Sequence, residues 1–562
     1  MTEAPDPIFA FSSDFVDELT KRSPMLATLA GIPGEHAGWD DLSPEGGAAL
    51  AKFYADKRAE VDAFPPARDR WGGVARRVLR EWIDERLSYY AHQDNLSDLN
   101  NIESPFQNVR LVFDLMPTAT DKDWETIAAR LETIGAPISG LERSLALGKE
   151  RGMTAAKRQV RAVIDQARAH ASETSGLRSA VADYRKEHPG TALGERLGDA
   201  VTNATEVFSA FANWLERDYL PAATDKDPYG RERYIRSANR FLGMAEFDPL
   251  EAYAWGFREI EQIETRMQEI ASRLAPGSSV SDLVRSLEEH PEQKVDDLER
   301  FLGLMRDRQA RALEDLMKSH FDVPEPIRRI EVKLAPPGGA LGAYYVPPSE
   351  DFSRPGTVYY APSSSKTYAL FSEITTAYHE GFPGHHLQCG LQVYFRENLS
   401  RHHRLLVCCS GYAEGWALYA EQLMDELGYY EHPAYVLGML MAKLFRACRI
   451  VADIGMHLEL PIPETFDFHP GEVWSWDLTV ELLSTRGFVE RAFAESEATR
   501  YLGWPGQAIS YKVGERVILE LRDEARARLG SAFDLRAFHE AVLSAGSVGL
   551  DHLRDIVRAS MS

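Results

Sequence analysis

Residues 378–388 read YHEGFPGHHLQ. Three histidines and a glutamate fall within eight residues, and GFPG separates the His379-Glu380 pair from the His385-His386 pair. Just upstream, Phe371, Ile374 and Tyr378 recur at steps of three and four, the period of a helix with one apolar face. His379 and Glu380 therefore lie near the end of a helix. In the zinc-peptidase pattern His-Glu-x-x-His, two histidines one turn apart share a helix face and reach one ion, while the glutamate faces a water.

Here the second pair comes six and seven residues after His379. On an unbroken helix His385 would stand about 9 Å up the axis on another side, and His386 about 10.5 Å up. Neither would share an ion with His379 at the ~2.0–2.1 Å that zinc requires. Pro383 cannot donate to the His379 carbonyl, and its ring crowds that turn. Gly381 and Gly384 permit backbone angles closed to other residues. GFPG thus reads as a bulge. If two residues loop out, His385 takes the i+4 place; if three do, His386 takes it. His385 is preferred, because Gly-His then keeps a common ending of such motifs. The other histidine orients a ligand or faces the cleft.

A catalytic zinc keeps three protein ligands and one open position. GYAEGWALYAEQL, at 411–423, offers Glu414 as the third, flanked by Gly411 and Gly415, which permit close helix packing. Among Tyr412, Trp416, Leu418 and Tyr419 a carboxylate needs a partner or a metal. Glu421, seven residues on and near the same face, is placed to hydrogen-bond a ligand from behind. Glu380 is the candidate general base. GWPGQAISYKVG, at 503–514, offers Tyr511 as donor to a developing oxyanion. Arg446, Arg449, Arg486 and Arg500 are candidates for a substrate carboxylate, although for each one singly an internal ion pair is the commoner fate. Asp453 and His457, at i and i+4, read as a supporting or structural pair.

The remainder of the 562 residues is helical in pattern, apart from one stretch. DPLEAYAWGFREIEQIETRMQEIASRL, at 248–274, sets Leu250, Tyr253, Phe257, Ile260 and Ile263 on one face, with Asp248-Pro249 as cap and first turn. APGSS, at 275–279, stops it, and Ser281 or Asp282 is placed to cap the next helix. Helical patterns run to about Leu316. From about Pro324 the texture changes, and three short strands are predicted near 329–334, 341–346 and 356–360. Helices then resume at 368–381, 387–397, 403–425, 432–458, 473–499 and 507–527. The expected division is an N-terminal helical lobe, 1–325, and a catalytic lobe, 326–562.

A net charge of −23 speaks against nucleic acid and anionic membranes as partners. The N-terminus has no basic start followed by an apolar core, and no apolar run is long enough to span a bilayer. The four cysteines form no Cys-x-x-Cys pair. Together these point to a cytoplasmic protein with reduced thiols.

HEGFPGHHLQ, YAEGWALYAEQL and RYLGWPGQAISYKVG resemble a bacterial family catalogued as domain of unknown function 885, and the likeness extends to ATLAGIPG and YYVPPSEDFSRPG. That family in turn looks like the helical zinc peptidases of the carboxypeptidase Taq, thimet oligopeptidase and angiotensin-converting enzyme type. The resemblance implies a mostly α zincin-like fold, a large helical body around a deep channel, with a small antiparallel sheet near the site. On their His-Glu-x-Gly-His pattern, followed by a glutamate-bearing helix, His379, Glu380, His385 and Glu414 match if Phe382-Pro383 is an insertion. The Taq family's Phe-Pro-Thr-Tyr-Thr-Leu-Gly segment is similar to the stretch around Tyr511.

The expectation is a metal-dependent peptidase, carboxypeptidase or oligopeptidase, hydrolysing short peptides with zinc, cobalt or manganese. His379, His385 and Glu414 would hold the metal. Glu380 and Tyr511 would act in catalysis, and His386, Glu421, Arg486 and Arg500 would support ligands or substrate. The alternatives are an inactive peptide- or ligand-binding protein on the same fold and a hydrolase of non-peptide amides or esters. Oligomeric state stays open.

Overall fold

Helix Pro433–Leu458 is apolar on nearly every face, and most of its side chains from Leu437 to His457 are buried. A helix of that kind belongs in an interior. His432 caps it, its Nδ1 accepting from the Ala434 N–H at 3.1 Å, and Pro433 takes the first position, where a missing N–H costs nothing. Pro249–Leu274 and Leu370–Glu380 pack against it. A second close pair is Ser410–Glu426 with Ser510–Leu529. A Cβ on Gly514 would strike the Gly411 carbonyl, and one on Gly415 would strike the Gly514 backbone, so the two helices meet backbone to backbone.

The computed structural model describes residues 6–34, 36–335, 342–361 and 367–561, and in it the chain is mostly helical with two small sheets. Gly356–Tyr360 is the central strand of three. It runs parallel to Ile330–Leu334 and antiparallel to Tyr344–Val346, with Val358 opposite both Val332 and Tyr345. The sheet is therefore mixed rather than antiparallel: a crossover from the first strand lets the third-in-sequence strand enter between the other two. The strand expected to start at 341 begins at Tyr344; residue 341 itself lies outside the described residues. Lys294–Val295 and Tyr368–Ala369 form a separate antiparallel pair.

Several helices differ from their sequence patterns in extent. The 403–425 pattern is two helices, Arg401–Leu406 and Ser410–Glu426. The 473–499 pattern is also two, Trp476–Thr485 and Arg491–Gly503, parted where Phe488 takes a φ of 55°. Ser279, not Ser281 or Asp282, caps Val280–Glu289, its side chain accepting from the Asp282 N–H at 3.1 Å.

The chain forms two compact units. One is Met1–Asp227 with Leu399–Leu406, and the other is Pro228–Asn398 with Val407–Ser562. The division thus falls about a hundred residues earlier than the expected boundary after 325. The reason is packing: Pro249–Leu274 lies on Pro433–Leu458, and Leu298–Leu316 lies against Leu370–Glu380. The first unit has its own core, in which Phe106 stacks on Phe211 and Leu131, Ile138 and Phe208 are sealed. Leu399–Leu406 belongs to it through the His402 N–H bonded to Ser12 at 3.0 Å and Arg401 paired with Asp17. Among the described residues no helix is long and apolar enough to cross a membrane.

Candidate metal centre

Leu370–Glu380 ends at Gly381, and a new helix starts at His385. Between them the chain folds back so tightly that a Cβ on Gly384 would strike the carbonyls of Tyr378 and His379. Two groups pin this loop. Gln309, wholly buried, accepts the Phe382 N–H at 2.6 Å and donates to the Ala377 carbonyl. The Trp416 indole donates to the Pro383 carbonyl at 2.9 Å. The bulge is therefore a fixed object, and it turns the His385 ring to within 4.9 Å of the His379 ring, edge to face.

Glu414 meets both rings. Its Oε2 lies 3.2 Å from His379 Nε2 and 3.5 Å from His385 Nε2, and the three ligand atoms all fall within 4.8 Å of one another. Two ligand atoms each ~2.05 Å from a tetrahedral centre lie about 3.3 Å apart, so the spacing suits zinc. The donor chemistry suits it too. His379 Nδ1 donates to Glu421 Oε1 at 2.7 Å, which leaves Nε2 as a lone pair aimed at Glu414. Glu414 Oε2 is buried, and the two imidazole nitrogens are its near neighbours among the described residues. When His379 is protonated its Nε2–H faces Glu414 at 3.2 Å, and a metal ion would take that proton's place.

The electrostatics agree. Burial and Arg446 act against protonation of His379, yet Glu414 and Glu421 outweigh them and raise its pKa to about 9. Burial works against ionisation of Glu414, but His379 and His385 hold it well below the ordinary carboxylate range. The pocket thus favours positive charge at its centre. Glu421 is itself fixed by the Thr375 hydroxyl and by Arg446 at 3.6 Å, and burial has not kept it from a lowered pKa.

Glu380 follows His379 and is only partly covered. Among the described residues its carboxylate accepts no hydrogen bond. Burial raises its pKa, His379 and His385 pull it down, and Glu414 pushes it up again. A carboxylate with a raised pKa next to such a cluster is suited to taking and returning a proton. Tyr511 lies with its ring nearly parallel to that of His379 at 6.4 Å. Arg449 and Arg446 sit 4.7 and 5.7 Å from its ring centre. Burial and Glu414 raise the Tyr511 pKa, against Arg449, Arg500 and Arg446, so the phenol stays a proton donor.

The other candidates divide. His386 stands apart from the cluster: its Nε2 meets the Ile327 carbonyl at 2.6 Å and its Nδ1 the Tyr345 hydroxyl at 3.1 Å, and burial lowers its pKa to about 4. It ties the ligand helix to the sheet. We predict that His386→Ala keeps wild-type metal content but lowers unfolding stability by about 1–3 kcal/mol, read from the denaturant midpoint, because a buried carbonyl loses its donor. Arg500 lies near Tyr511, bonded to Glu497 at 3.0 Å, and Glu497 also takes Arg449 at 2.8 Å and the Tyr501 hydroxyl. Arg486 is not brought to the cluster. The turn after Trp476–Thr485 sends it to Glu264 at 3.1 Å and onto the Phe466 ring. Asp453 accepts from Tyr234 and the Gly506 N–H, and His457 holds the Tyr501 carbonyl, which is a structural arrangement.

Gln309 escaped the sequence reading, although a signal existed. It occupies a core position between Met305 and Leu313 on an otherwise apolar helix stripe, where an amide needs buried partners.

The family model described as "Bacterial protein of unknown function (DUF885)" matches residues 24–557. A candidate lipoprotein from Colwellia psychrerythraea superposes with a TM-score of 0.85 at 24% identity, over 99% of this chain and 98% of that one. A candidate lipoprotein of unknown function from Shewanella oneidensis gives 0.73 at 19% identity, over 97% and 99%. These likenesses show a shared fold. A Pyrococcus furiosus carboxypeptidase aligns at a TM-score of 0.33 and 11% identity, over 92% of this chain and 98% of that one, too low to carry an argument. No curated protein matches.

Proposed function

Since the chain is a member of the DUF885 family of bacterial proteins, whose description assigns no activity, we propose from its geometry that it is a zinc-dependent peptidase, a carboxypeptidase or oligopeptidase acting on short peptides. One observation carries this: ligand atoms of His379, His385 and Glu414 lie within 4.8 Å of one another, and Glu380 follows His379 directly. A merely structural metal site needs no such base and is usually closed by a fourth protein ligand.

His379, His385 and Glu414 would hold the ion. Zinc, when bound, supplies Lewis acidity toward a carbonyl and lowers the pKa of water. Glu380 takes the proton of the attacking water and returns it to the leaving amine. The Tyr511 hydroxyl donates to the oxygen on which negative charge gathers. Glu421 keeps His379 in the tautomer that presents Nε2. Arg449 and Arg500, beside Tyr511, supply positive charge for a substrate carboxylate.

The cytoplasm is part of the proposal, because none of the four cysteines is in a disulfide. The lipoprotein description of the two solved relatives makes cell fractionation the informative check.

The test is metal analysis of the purified protein with hydrolysis of a mixed peptide library. About one zinc per chain is expected, with hydrolysis lost to a chelator and restored by zinc. Zinc-loaded protein that cleaves nothing in the library would sink the peptidase reading.

A further inference from the structure

Residues 381–384 turn the chain back between the helix that carries His379 and the helix that His385 begins. A buried loop of this kind has main-chain groups that neither helix can pair, and each needs another partner. Two of them are met by single side chains from far along the chain. The Phe382 N–H donates to Gln309 Oε1 at 2.6 Å, 73 residues earlier, and the Pro383 carbonyl accepts the Trp416 indole N–H at 2.9 Å, 33 residues later. Gln309 and Trp416 are both wholly buried.

Gln309 does more than accept. Its amide nitrogen donates to the Ala377 carbonyl, which also takes the Gly381 N–H at 3.0 Å, so one amide bridges the last turn of the ligand helix and the loop after it. The approach is close, since a Cβ on Gly381 would strike that amide. On the same helix Arg308 bonds the hydroxyl of Tyr378, the residue before His379, at 3.2 Å. Trp416 stands two residues after Glu414, so its indole ties the helix of the third ligand to the loop that aims the second. Neither Gln309 nor Trp416 is one of the three converging groups.

A loop that had to be ordered as the ion binds would spend conformational entropy that offsets affinity. We infer that Gln309 and Trp416 are positioning residues for the metal centre: they fix residues 381–384 before an ion arrives, so that His385 meets His379 and Glu414 without rearrangement. This rests on reading those three residues as metal ligands, and it does not need the peptidase chemistry.

The test is zinc affinity of the full chain, read by competition with a chromogenic chelator at a temperature where circular dichroism shows every variant folded. Gln309→Met keeps the length of the side chain and loses both bonds; Trp416→Phe is the milder change and loses the indole N–H. Each is expected to weaken zinc about ten- to a hundredfold. His386→Ala is the control, because it too removes a buried bond from the helix that His385 begins, and its affinity should match wild type. Cobalt, whose visible absorption reports the number and geometry of its ligands, should show an altered band in the first two variants and the wild-type band in the control. A merely structural role would lower the melting temperature of all three metal-free variants and leave affinity and cobalt band unchanged. Affinities within about threefold of wild type in both Gln309→Met and Trp416→Phe, or an equal loss in His386→Ala, overturn the inference. The expected losses in a protein that hydrolyses nothing defeat the peptidase reading and leave this one standing; wild-type hydrolysis with unchanged variant affinities does the reverse.

Discussion

Glu380→Gln is expected to lower peptide hydrolysis by about two to four orders of magnitude, the range of general acid–base catalysis, while zinc content stays at the wild-type value. The separation of the two effects is the point of the experiment. Glu380 follows His379 directly but is not one of the three converging groups, so its replacement is expected to leave the ion held. The amide of glutamine matches the carboxylate in shape and keeps its hydrogen-bonding reach, but it takes up no proton at neutral pH. A single-turnover assay with metal quantified on the same sample checks both halves. If Glu380→Gln retained hydrolysis within a factor of ten, the proton would have another carrier, and the assignment would move to another residue.

The second large effect concerns the metal itself. His379→Ala or Glu414→Ala is expected to reduce zinc from about one ion per chain to under a tenth. Glu421→Gln is expected to weaken zinc about ten- to a hundredfold without abolishing it, since it touches the ion only through His379. Competition with a chromogenic chelator measures both. Melting temperature gives an independent reading: an ion that binds only the folded chain raises stability with its concentration. Added zinc should therefore raise the melting temperature of wild type and leave that of Glu414→Ala flat. Equal zinc in all four proteins would place the binding site elsewhere.

Much of this was legible in sequence because it is local. The Asp248-Pro249 start of its helix, the strand at 356–360 and the glycines around Glu414 and Tyr511 each announce themselves within a few residues. The bulge was legible for the same reason: Gly381, Pro383 and Gly384 forbid an ordinary helix. What stayed hidden depends on partners far along the chain. His386 is occupied by Ile327 and Tyr345, and Arg486 by Glu264. No pattern around either residue names those partners. The parallel pairing of Ile330–Leu334 with Gly356–Tyr360 was hidden too, since alternation along a strand does not state which neighbour it takes. Tyr511 and Glu421 were readable as types of residue in apolar company, but their closeness to His379 is a matter of helix packing.

The Leu399–Leu406 segment has a practical consequence. It lies between His385 and Glu414 in sequence but folds with the N-terminal residues. Any excised fragment starting at Pro228 would carry an eight-residue stitch cut off from Ser12 and Asp17, placed between two of the proposed metal ligands. The centre cannot be moved into another scaffold as one uninterrupted cassette. An engineer who wants it would have to replace that stitch with a short tether, or transplant both halves together.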